Sequence, residues 1–137
     1  MALERGAAAA VVVRLRAWLK PGSRGESAAC RLLEQDGYRV VARNFRCRGG
    51  EIDIVAQDGD ALVFVEVKER SGASHGTGCE AVTREKRRRI IHAARLFAAR
   101  RGLSESPIRF DVVSIDRDAQ GVAHACHIRG AFDARGR

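Results

Sequence analysis

The chain has few aromatics, no paired cysteines and no long apolar run. Aromatic residues make up 5% of it, with one Trp and one Tyr, which leaves too few flat platforms for base-by-base recognition of a single strand. Its four cysteines, Cys30, Cys47, Cys79 and Cys126, include no CxxC pair. Neither a disulfide framework nor a zinc ribbon is indicated, and reduced thiols in the cytoplasm are expected. The group His124, Cys126 and His127 has donor types that suit zinc but lacks a second ligand pair at recognisable spacing. The run Ala7 to Val13 is too short to span a bilayer and meets Arg14, Arg16 and Lys20 at once, so no membrane segment is expected. The glycine-rich stretch from Glu69 to Cys79 has no Gly-Lys-Ser/Thr ending and is not a phosphate-cradling P-loop. No internal repeat is visible.

What the chain does carry is positive charge. It has 137 residues, 25 Lys plus Arg against 17 Asp plus Glu, a net charge of +8 and a pI near 10.3. That excess favours a polyanionic partner, and arginine's planar fork suits phosphate. Solubility alone is the blander explanation. The size fits one domain with one modest core.

Residues 1–22 are expected to form an Ala/Arg-rich helical extension, residues 23–129 the folded domain, and residues 130–137 a disordered tail. Ser23-Arg24-Gly25-Glu26 has the form of a capping box and opens a helix that Gly37 stops. A short strand follows from Tyr38 to Asn44, then a basic turn at Arg46-Cys47-Arg48-Gly49-Gly50. Glu51 to Ala56 and Ala61 to Lys68 read as a hairpin with Asp58-Gly59 at its tip. That register sets Asp53 opposite Phe64 and Glu51 opposite Glu66. One face then carries Ile52, Ile54, Val63, Val65 and Val67. The other carries Glu51, Asp53, Glu66 and Lys68 beside Val55, Leu62 and Phe64. Thr83 is expected to cap a helix from Arg84 to Arg101, Gly102 to end it, and strands to follow from Pro107 to Ile115 and from Val122 to Ile128.

Asp53 and Glu66 on one face repel unless a cation lies between them, and hard divalent ions, Mg2+ or Mn2+, take such oxygen ligands. Glu66 and Lys68, two residues apart on a strand, point to the same side, so the ammonium reaches the same phosphate. A metal lowers the pKa of an attacking water while the lysine stabilises developing charge. The alternative is a solvated strand face in which Lys68 screens Glu66 and Glu51; the apolar Phe64, Leu62 and Val55 on that face weigh against it.

Gly50-Glu51-Ile52-Asp53-Ile54-Val55, followed by Phe64-Val65-Glu66-Val67-Lys68, resembles the D and E-x-K elements of the PD-(D/E)XK nuclease superfamily. With Gly25-Glu26, Gly37-Tyr38, Arg43-Asn44-Phe45-Arg46, Glu69-Arg70, Lys86 and Arg109-Phe110-Asp111-Val112-Val113, the pattern resembles the YraN-like family of small bacterial proteins. The resemblance implies an α/β, restriction-endonuclease-like core: a mixed sheet flanked by helices in αβββαβ order, similar to archaeal Holliday-junction resolvases. It implies Asp53 and Glu66 as metal ligands, Lys68 as the catalytic lysine and Glu26 as a further carboxylate near the metal. The capping box is an equal explanation for Glu26. Asp111 is expected to be structural.

Arg84, Lys86, Arg87, Arg88 and Arg89 crowd a helix start that is already positive, and an anion would relieve them. Of these, Lys86, Arg87 and Arg88, together with Arg46 and Arg48, form the expected nucleic-acid contact, DNA being the favoured partner. A solvated helix end is the competing reading. The leading expectation is a metal-dependent endonuclease, with a non-catalytic nucleic-acid-binding module and a basic protein-interaction component as alternatives. The resolvase analogy suggests a homodimer.

Overall fold

The computed structural model describes residues 13–17, 25–71, 82–120 and 122–137. The order is β1 (Val13–Ala17), α1 (Gly25–Gln35), β2 (Arg39–Cys47), β3 (Gly50–Asp58), β4 (Ala61–Ser71), α2 (Arg84–Arg100), β5 (Ile108–Arg117) and β6 (Ala123–Phe132). The strands form one six-stranded mixed sheet in the order β1-β6-β5-β4-β3-β2. Among the described strands only β4 and β5 run parallel, because the connection between them carries α2 rather than a tight turn.

Both helices end alike. Gly37 and Gly102 take φ of 88° and 67°, and the amides of Tyr38 and Leu103 reach back to the carbonyls of Leu33 and Ala98 at 2.9 and 2.7 Å. These closures stop each helix where the sequence places glycine. At the start of α2 the Thr83 hydroxyl accepts the Lys86 amide at 3.1 Å. Ser23 and Arg24, half of the expected capping box of α1, lie outside the described residues.

Side chains sort into two apolar layers. Ile90, Ala94 and Phe97 of α2 pack with Val55, Leu62, Phe64, Phe110 and Val112. Ala29, Leu32 and Leu33 of α1 pack with Ile54, Val63, Val65, Val113 and Ile115. The expected alternation along β3 fails at one point: Ile52 joins Val55 in the α2 layer while Ile54 joins the α1 layer. The partner strand explains it. Asn44 has φ of 52° and lies between Arg43, paired with Ile54, and Phe45, paired with Ile52. A left-handed residue, tolerated by Asn, turns the strand over at the level of Asp53.

The β3–β4 register also differs from expectation. Asp58 pairs with Ala61 and Ile54 with Val65, so the tip is Gly59-Asp60, with Gly59 at φ of 61°. The two-residue slip keeps the alternation of the paired segment, and the pairing ends at Ile54 and Val65, just before Asp53 and Glu66.

Two terminal expectations are corrected. Val13–Ala17 is a strand paired antiparallel with β6, not part of a helix; Val-Arg-Leu-Arg-Ala alternates with a period of two. The rest of the expected extension lies outside the described residues. Nor is the tail disordered. β6 runs to Phe132, which is buried and stacked on Phe110 at 4.9 Å between ring centroids. The Asp133 amide then donates to the Arg137 carbonyl at 3.0 Å, and Arg87 donates to the Gly136 carbonyl at 3.1 Å.

A polar network crosses the α1 side of the sheet. Asp111, fully buried, accepts from His127 at 2.8 Å, from Arg109 at 2.9 and 3.0 Å and from the Gly130 amide at 3.0 Å. Arg109 also binds Asp58 at 2.9 Å and the Tyr38 hydroxyl. This accounts for Asp111 as a structural residue.

Gly50, at the start of β3, permits the closest approach of α2. A Cβ built there falls 2.3 Å from the Arg89 carbonyl oxygen and 3.3 Å from the Ala93 methyl. Backbone cannot step aside as a side-chain tip can, so Gly50→Ala is expected to cost about 1–3 kcal/mol by forcing the helix away. Urea titration of the variant checks this; an unchanged midpoint would contradict the packing described.

Candidate functional site

The site forms where the β3–β4 ladder ends. Recorded pairing stops at Ile54 and Val65, and the Asp53 carboxylate takes over by accepting the Val67 amide through Oδ2 at 2.8 Å. Glu66, adjacent on β4, is 4% exposed. Its Oε1 holds the Lys86 ammonium of α2 at 2.9 Å. The pleat puts Lys68 on the same side of β4 as Glu66, and Lys68 is half-buried.

Burial and the neighbouring Glu66 charge push the Asp53 carboxyl up to about 6, against the opposing pull of the Val67 amide and Lys86. The hydrogen bond to Glu66 holds the Lys86 ammonium above its usual range despite partial burial. Two carboxylates thus share a low-dielectric corner with one ammonium already drawn in. That imbalance is what an added cation would relieve.

Glu26, in the first turn of α1, lines a cleft of about 240 Å³ with Gly25, Asp53, Val67 and Glu69. Its carboxylate lies 3.9 Å from the Arg43 guanidinium, which also donates to Ser27 at 3.3 Å. Among the described residues no group of three or more His, Cys, Asp or Glu is arranged to hold a metal ion. Asp53 and Glu66 are a pair, with Glu26 at the rim. The donor set nevertheless fits magnesium or manganese, which commonly bind one or two carboxylates and fill their remaining positions with water and substrate phosphate.

The expected basic residues meet different neighbours. Lys86 turns inward to Glu66. Arg46 lies 3.6 Å from Glu51, both exposed, and lines a cleft with Lys86 and Arg89. The Arg48 carbonyl meets His92 Nε2 at 3.2 Å. Arg87 lies over the Phe132 ring at 5.6 Å, and Arg88 faces the C-terminal turn. Lys86 as the partner of Glu66 escaped the sequence reading. The signal was there: positions 86, 90, 93 and 97 form one helical stripe, with a lysine heading an otherwise apolar row.

The His124, Cys126 and His127 group does not converge. His124 pairs with Asp118 at 3.1 Å, while His127 is committed to Asp111. No described helix is long and apolar enough to cross a membrane.

Residues 25–115 match the model of the uncharacterised protein family UPF0102. A UPF0102 protein of Symbiobacterium thermophilum is 50% identical over 113 residues, covering 82% of this chain and 96% of that relative. One from Parafrankia is 50% identical over 111 residues, covering 81% and 94%, and one from Geobacter sulfurreducens 47% over 112 residues, covering 82% and 88%. The match takes in Glu26, Asp53, Glu66, Lys68 and Lys86, and the chain belongs to the UPF0102 family.

Proposed function

We propose that this protein is a metal-dependent endonuclease with a restriction-endonuclease-like core that hydrolyses phosphodiester bonds in nucleic acid, DNA being the substrate its charge and its resemblance to resolvases favour. The observation that carries the reading is the meeting of Asp53 and Glu66 at the end of the β3–β4 ladder, with Lys68 two residues further along β4.

In this reading Asp53 and Glu66 hold Mg2+ or Mn2+, and Glu26 faces the same cleft as Asp53. A divalent ion held there would polarise the scissile phosphate and lower the pKa of an attacking water. The chain's own groups do the positioning. The Val67 amide fixes the Asp53 carboxylate by occupying Oδ2. Lys68 places a positive charge beside the phosphate and stabilises the charge that develops on its oxygens. Lys86 neutralises Glu66 until another cation takes that place.

Incubating the full chain with end-labelled duplexes, single strands, flaps, four-way junctions and RNA, with Mg2+, Mn2+ or chelator, tests the proposal. Metal-dependent products are expected from the wild type. Lys68→Ala should cut on the order of 10²–10³-fold more slowly, and Asp53→Ala at least as slowly. Equal cleavage by wild type and both variants would remove the site assignment.

A further inference from the structure

The outer face of α2 carries a second feature that hydrolysis at Asp53 and Glu66 does not use. Arg84, Arg88 and Arg95 line a cleft of about 510 Å³ closed on its other side by Arg135, Gly136 and Arg137 of the C-terminal turn. His92 and Ile91 also line it, and none of the described lining side chains is acidic. Glu85, the nearest acid along the helix, is committed to Arg89 at 2.9 Å, and Asp133 is held by Arg135 and by the turn amides. Among the described residues Arg84, Arg88 and Arg95 have no carboxylate partner. Five guanidiniums around one cleft repel one another, and a bound anion turns that cost into attraction.

The position of the cleft says which anion. At 100° per residue, Arg84, Arg88 and Arg95 project within about 20° of the direction opposite Lys86. The cleft and the Glu66 carboxylate therefore lie on opposite sides of one helix, which with its side chains is roughly 10–12 Å across. A small phosphate compound in the cleft would not reach the carboxylates. A continuous polyanion would: that width corresponds to roughly three base-pair steps of duplex. Arg89, which lines a cleft with Lys86 and Arg46, projects between the two around the helix.

We propose that the cleft between α2 and the C-terminal turn is a second binding site for the phosphodiester backbone, engaging the substrate beyond the point of cleavage. The inference rests on the nucleic-acid part of the proposed function and is independent of hydrolysis. Arg135 and Arg137 lie outside the residues the family model matches.

The full chain is titrated with a fluorescein-labelled duplex in chelator, by anisotropy over a series of salt concentrations. The variants are Arg88→Ala/Arg95→Ala and, as a charge-matched control, Arg31→Ala/Arg39→Ala on α1 and β2. All four positions are exposed, so thermal melts should match wild type. Loss of two phosphate contacts should lower affinity on the order of tenfold and reduce the log–log salt slope by about 2, given ~0.9 per contact. The control should change little. Wild-type affinity and slope in Arg88→Ala/Arg95→Ala, or an equal loss in the control, would overturn the inference, as would no binding by the wild type. Binding with the expected slope change but no cleavage in Mg2+ or Mn2+ would uphold this site while removing the proposed hydrolysis.

Discussion

Asp111→Ala is expected to lower stability by about 3–5 kcal/mol, the usual consequence of removing one partner from a buried charge pair. The substitution deletes the acceptor for His127, for two nitrogens of Arg109 and for the Gly130 amide. His127 is 1% exposed, so water cannot replace the lost carboxylate. A melt by circular dichroism should show Tm lower by roughly 10–20 °C. Asp111→Asn, which keeps an acceptor but not the charge, should fall between. The pH dependence follows. Burial pushes the Asp111 carboxyl up, but the bonds from His127, Arg109 and Gly130 outweigh it and hold the group below its usual value of 3.8. Its contribution is therefore present above pH 3.8 and is lost as the pH falls through the lower folded value. A wild-type melt that tracked Asp111→Ala at neutral pH would refute the network's role.

Asp53→Asn should do the opposite, stabilising the protein while abolishing cleavage. The folded carboxyl lies at about 6, above its usual 3.8, so the folded state binds the proton more tightly than the unfolded chain. That advantage is full below pH 3.8 and fades between 3.8 and about 6; above 6 the ionised Asp53 destabilises the fold. The amide removes the charge and keeps an oxygen for the Val67 amide. With a discount for partial exposure, the gain at pH 8 is on the order of 1–2 kcal/mol. It should vanish near pH 4 and shrink when Mg2+ or Mn2+ stabilises the wild type. Chemical denaturation at pH 4 and pH 8, with and without metal, reads all three effects. A variant less stable than wild type at pH 8 would mean that Asp53 is a structural carboxylate. A group that weakens its own fold is a familiar cost of a working site.

Where local chemistry decides structure, the sequence was readable. Gly37 and Gly102 stop their helices, Thr83 starts one, and the central αβββαβ run is found in that order. The period of two set Asp53 and Glu66 on one face of the hairpin, but with Asp53 opposite Phe64 and Glu51 opposite Glu66, a register the structure does not keep. What failed depended on partners distant in the chain. The flip at Ile52 comes from Asn44 on the neighbouring strand, and the strand at Val13–Ala17 exists because β6 lies beside it. Phe132 reads as tail until Phe110 is placed beneath it. The inward turn of Lys86 was masked by the four arginines around it, whose shared charge suggested a shared role.

The pairing of β1 with β6 also sets an order of assembly. During synthesis the pairings within the β2–β3–β4 meander, which carries Asp53 and Glu66, close within about thirty residues of chain, and local pairings form fast. β1 emerges before any of them, yet among the described strands its one neighbour in the sheet spans Ala123–Phe132. The earliest strand must wait for the last, and until then β5 and the parallel join have no cover on that side. A nascent chain stalled before residue 123 would therefore hold the carboxylate hairpin but leave an unprotected strand edge, the kind of surface on which chains pair with one another rather than with themselves.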